Sequence, residues 1–115
     1  MTDERERDDE SLASPGNALS FWRSLQSSDK PGAIYFAFES ANHLRAERLA
    51  TYLRETNPYP IEIHDHTKIG QDTDSWWVQG QTPTQVLTKQ FVETLFGWLC
   101  ATESRLGVRL SAISS

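Results

Sequence analysis

Residues 72–80 read Asp72-Thr-Asp-Ser-Trp-Trp-Val-Gln-Gly, an acidic turn that opens into two adjacent tryptophans. Such a segment reads as the second half of a β-hairpin. Successive side chains of a strand point to opposite faces, so Trp76 and Val78 share one face and Trp77 and Gln79 the other. One large aromatic is therefore expected in the core and its neighbour on the far side of the sheet. Upstream, Pro60 to Thr67 alternates in the same way, with Ile61 and Ile63 inward and Glu62, His64 and His66 outward. Between the two strands, Lys68 to Asp74 carries Gly70 and two aspartates, as a hairpin loop would.

Working outward from that hairpin, Ala33-Ile-Tyr-Phe-Ala-Phe is a strand in which Ile34, Phe36 and Phe38 alternate against Tyr35 and Ala37. Ser40 is the expected N-cap of a helix through Glu55, whose apolar stripe is Ala46, Leu49, Ala50 and Leu53. Asn57-Pro58 stops it. Thr82-Pro-Thr-Gln reads as a capping box, with Thr82 at N-cap and Pro83 in the first turn. The helix it starts would bury Leu87, Phe91, Leu95, Trp98 and Leu99 and end at Gly107, a natural C-terminal glycine. Val108 to Ile113 supplies a last strand. Asn17 caps a short helix through Ser27, with Leu19, Trp22 and Leu25 near helical spacing.

This order predicts an α+β fold, a ferredoxin-like βαββαβ sandwich with helices on one face and an extra short N-terminal helix. Residues 1–16 are expected to form a disordered acidic tail, and residues 17–115 a single domain. The net charge is −5, and residues 1–10 hold six acids and two bases, so nearly all of the acidity lies in the tail. A nearly neutral body lacks the basic footprint that phosphate-backbone binding requires. The single cysteine, Cys100, is flanked by apolar Leu99 and Ala101 and reads as a packed residue in a reducing compartment. No apolar run approaches the length of a membrane span, and the N-terminus is no signal peptide, so the expected location is the cytoplasm.

The short helix Leu19–Leu25 leads through Asp29 into the aromatic strand Ile34-Tyr-Phe-Ala-Phe-Glu. Then follow the alanine-containing helix His43–Arg54, the acid-flanked strand Ser75-Trp-Trp-Val and a long terminal helix. Over residues 17–113 that succession resembles the regulator of ribonuclease E activity B (RraB) family. The resemblance implies a non-enzymatic protein that binds an endoribonuclease and restrains RNA decay.

Candidate chemistry is sparse. His64 and His66 share a strand face, with Glu62, Asp72 or Asp74 within reach as a third ligand. No cysteine accompanies them, and two imidazoles on a polar sheet face read as surface histidines rather than as a metal site. No motif sets a base beside a nucleophile, and the six glycines form no phosphate loop, so neither enzyme activity nor a cofactor is expected. In the expected topology the first and third strands are adjacent, which would make Tyr35 and Trp77 exposed neighbours. RNA-recognition domains stack bases on aromatics placed in this way, and a small single-stranded RNA-binding domain is the alternative reading. Exposed Trp and Tyr also anchor protein interfaces. Tyr35, Trp77, Gln79, Glu62, His64 and His66 are therefore the expected partner-binding patch of a regulatory protein.

Overall fold

The computed structural model describes residues 11–25, 31–67, 69–70 and 74–115. The elements are α1 (Pro15–Leu25), β1 (Tyr35–Ser40), α2 (His43–Thr56), β2 (Ile61–Asp65), β3 (Trp76–Gln81), α3 (Lys89–Leu106) and β4 (Leu110–Ser114). The strands form one antiparallel sheet in the order β2-β3-β1-β4. The fold is thus α+β, with three helices and four strands among the described residues.

The sheet has one covered face. Phe36 and Phe38 of β1 and Val78 of β3 are fully buried there. Ala46, Leu49, Ala50 and Leu53 of α2 meet them from above, as do Val92, Leu95, Phe96 and Leu99 of α3. Both helices carry their apolar residues at spacings of three and four, which gathers them into one buried stripe. The Phe36 ring takes the edges of Tyr59 and Trp98, with centroids 6.4 Å and 5.5 Å away. Gly80 lies opposite Phe36 in the ladder. A Cβ there would sit 2.6 Å from Phe36 Cζ and 2.7 Å from Ile61 Cδ1, so glycine is what lets the ring lie flat on β3.

Three boundaries differ from the sequence expectation. The first is the N-terminal edge of the domain. Residues 1–10 lie outside the described residues, but Ser11 to Gly16, assigned to the tail, belong to the folded body. Ala13 and Ser14 are buried, and Ser11 Oγ donates to Glu103 Oε1 at 2.6 Å. Helix α1 begins at Pro15, and Ser14 rather than Asn17 meets its first turn, accepting Asn17 N–H on its hydroxyl and Ala18 N–H on its carbonyl. The expected last turn of that helix, 26–27, lies outside the described residues, as do Lys68 and residues 71–73 of the hairpin loop.

The second is the α2 cap. Asn42, not Ser40, holds the helix start, its Oδ1 accepting from the N–H groups of Leu44 and Arg45. Ser40 ends β1 and bonds to Asn42 instead.

The third concerns Thr82. Its hydroxyl accepts the Ile34 N–H at 2.8 Å and its own N–H donates to the Ile34 carbonyl, so it prolongs the β1–β3 pairing. Gly32 and Gln85 then exchange both backbone bonds in an isolated bridge. Helix α3 starts only at Lys89, with Thr88 Oγ1 accepting Phe91 N–H. Gly107 does close it, in the left-handed region at φ 64°.

Candidate functional site

The second face of the sheet is left uncovered by the helices, because α1 packs against α3 on the opposite side. β1 presents Tyr35, Ala37 and Glu39 to it, β3 presents Trp77, Gln79 and Gln81, and β2 presents Glu62 and His64. The expected division of the tryptophans holds by face. Val78 is buried and Trp76 packs on the core beside it, while Trp77 points the other way. Trp76 is nonetheless only half-buried, and its indole Nε1 is enclosed with no hydrogen-bond partner among the described residues.

Tyr35 and Trp77 are not neighbours. Antiparallel pairing sets the start of β1 against the end of β3, so Tyr35 faces Gln81 and Trp77 faces Glu39. Four residues along the strand separate the two positions, about 13 Å of strand. The six residues expected to form one patch therefore fall into two clusters.

At one end, Tyr35, Glu62, Gln79 and Gln81 line a cleft of about 520 Å³ between Pro60 and Pro83. The Tyr35 hydroxyl donates to Gln79 Oε1 at 3.1 Å, and Ala37, between these side chains, is wholly buried. At the other end, His66 stacks on Trp77 with centroids 5.2 Å apart and rings 29° from parallel. His64 stands 6.3 Å from His66 and pairs through Nε2 with Glu62 at 2.9 Å, which ties the two clusters together. Ser75 Oγ reaches Glu39 at 3.4 Å, and Glu39 is the exposed carboxylate opposite Trp77.

A histidine on the covered side completes this end of the sheet. His43, at the start of α2, lies over Trp76 with centroids 4.2 Å apart, so each of the adjacent tryptophans is faced by an imidazole. Its distance in sequence from the hairpin hid this contact. Asp65 accepts the Thr67 N–H at 2.9 Å, and that bond holds its carboxyl below the usual carboxylate range. Among the described residues no group of three or more His, Cys, Asp or Glu side chains could hold a metal ion. Asp72 lies outside them.

Sequence reasoning missed a second surface. Helices α1 and α3 leave between them a groove of about 520 Å³, lined by Ala18, Leu19, Trp22, Phe96, Gly97 and Cys100 among others. The thiol of Cys100 is exposed on this side, contrary to the packed cysteine expected from its apolar flanks. Those flanks mislead because Leu99 turns inward, and the next residue of a helix points about 100° away from it. None of the described helices is long and apolar enough to cross a membrane. No protein-family model, no curated protein and no solved structure matches this chain.

Proposed function

We propose that this protein is a non-catalytic regulator that acts by occupying a protein partner through the uncovered sheet face. The architecture is read as a ferredoxin-like sandwich, since the βαββαβ order after α1 suits that arrangement. The observation that carries the proposal is the make-up of the uncovered face. Trp77 is half-exposed on the sheet and stacked by His66, with the Ser75–Glu39 pair on one side and the His64–Glu62 pair on the other. An aromatic anchor held by a polar rim is the usual composition of a protein interface.

The strand positions on that face carry Glu39 and Glu62 and no lysine or arginine. That argues against RNA, whose binding is dominated by phosphate neutralisation. The separation of Tyr35 from Trp77 also removes the adjacent stacking pair on which the RNA-binding alternative depended. The resemblance to the RraB family makes an endoribonuclease in the cytoplasm the expected partner, and slower RNA decay the expected result.

The test is a binding titration of the Trp77→Ala protein against a partner captured by the intact chain. Loss of about 2 kcal/mol or more, with an unchanged fold, is the expected outcome for a central aromatic. The affinity should respond weakly to salt. Full affinity in the variant would place the interface elsewhere, and a steep salt dependence would favour nucleic acid.

A further inference from the structure

At the Tyr35 end of the uncovered face the cleft is walled by two prolines, Pro60 just before β2 and Pro83 two residues after β3. Proline fixes its own backbone φ, so both walls are stiff. The side between them is fixed as well. The Tyr35 hydroxyl donates to Gln79 across the strands, and Ala37, opposite Gln79 in the ladder, is wholly buried. The cleft of about 520 Å³ is thus shaped before anything enters it, and a ligand there loses little to ordering the protein.

Its chemistry is one-sided. Glu62 is the only charged residue in the lining, and Arg54, at this edge of the sheet, is spent on the Ile61 carbonyl at 2.7 Å. His64 bonds Glu62 through Oε2 alone, which leaves Oε1 without a partner among the described residues. The Tyr35 proton is committed to Gln79, so what this hydroxyl offers a ligand is its oxygen lone pairs. The two prolines bring no N–H. The exposed Gln81 amide can turn its oxygen inward to match. A positively charged group that only donates suits such a cleft, and a phosphate or carboxylate does not.

We propose that this cleft takes an arginine side chain of the partner protein, with its guanidinium between the Tyr35 ring and the Glu62 carboxylate. Arginine rather than lysine follows from the walls. A guanidinium is planar and weakly hydrated, stacks on aromatic faces and carries five donors, whereas an ammonium is compact and holds its water. Tyr35 and the two prolines give the plane its apolar bed, and Glu62 and the Tyr35 oxygen take its N–H groups. Glu62 is exposed, so the ion pair adds little affinity, and the arginine serves to fix how the partner sits. Glu62 and Tyr35 stand level with Gln79 and Gln81, two and four residues along β3 from Trp77. The arginine therefore lies roughly 7–13 Å from whatever covers the indole. The inference deepens the proposed function and rests on it in taking a protein as the ligand.

The test uses the intact isotope-labelled chain at about pH 8, above the ordinary histidine range, and the peptide acetyl-Gly-Arg-Gly-amide. Addition should give saturable shifts in the side-chain amides of Gln79 and Gln81 and in the backbone amides of Tyr35 and Glu62, leaving Gly97 and Cys100 unmoved. The citrulline peptide, which keeps the shape without the charge, and the lysine peptide should each bind about threefold or more weakly. Glu62→Gln keeps the side chain's length and an acceptor for His64, and should weaken the arginine peptide about threefold, the factor for losing an exposed ion pair. No saturable shift at tens of millimolar peptide, equal binding of the citrulline or lysine peptide, or unchanged affinity in Glu62→Gln would each overturn the proposal. Those failures leave the Trp77 interface standing. Trp77→Ala should bind the arginine peptide unchanged, so failure of the sheet-face reading is seen separately, in the titration of that variant against the captured partner.

Discussion

At the scale of single residues, the closest fit at any described glycine is set by an absent side chain. Gly80 faces Phe36, whose fully buried ring is held by Tyr59 and Trp98. Gly80→Ala should therefore cost about 1–3 kcal/mol, the range for overpacking a filled core, despite the better strand propensity of alanine. Chemical denaturation of the two proteins measures it, and a neutral result would mean that Phe36 and Ile61 can yield together. The alternation around Trp76 and Val78 was legible because a period of two has only one inward solution once Val78 is buried. The partners of the tryptophans were not legible. His43 reaches Trp76 from the start of α2, and Glu39 faces Trp77 from β1, and neither the docking of a helix nor the register of a strand can be read from β3 alone.

At the scale of elements, Thr82 and Thr88 show how one residue type serves two structures. Both precede helix-compatible sequence, and Thr82 even has proline after it and glutamine at the capping-box position. The hydroxyl of Thr82 is nonetheless committed to a buried strand N–H, while that of Thr88 caps α3. Thr82→Ala should leave the Ile34 N–H unpaired and cost about 1–3 kcal/mol with helical circular dichroism unchanged. Thr82→Ser should retain most of the loss. Thr88→Ala should cost about 1 kcal/mol and speed amide exchange in the first turn of α3. If Thr82→Ala frays that turn instead, the capping-box reading is restored. Local patterns thus located the described strands and helices closely except for the start of α3, which falls at Lys89 rather than Pro83, because the fate of a capping side chain was decided by what lay across the sheet.

At the scale of the whole molecule, the boundary between tail and body is the part most changed by the structure. Charge density identified residues 1–10 as unlike the rest, but the short uncharged run Ser11 to Ser14 gave no sign of burial, which depends on the distant Glu103 and on the core. Removing residues 1–10 should leave the melting temperature unchanged, whereas removing residues 1–14 should lower it by several degrees, since about 1 kcal/mol shifts a domain of this size by roughly 4 °C or more. Equal melting curves would show that the Ser11–Glu103 contact adds nothing. The strand order bears on more than stability. β1, the first strand made, lies at the sheet centre between β3 and β4, and Phe36 pairs with Ile113 near the other end of the described chain. The β2–β3 hairpin can close by itself in microseconds, but the central strand must wait for partners far along the chain. During synthesis Phe36 and Phe38 therefore remain open on one side until the last strand leaves the ribosome, which makes the nascent chain, more than the finished fold, the state that needs protection from aggregation.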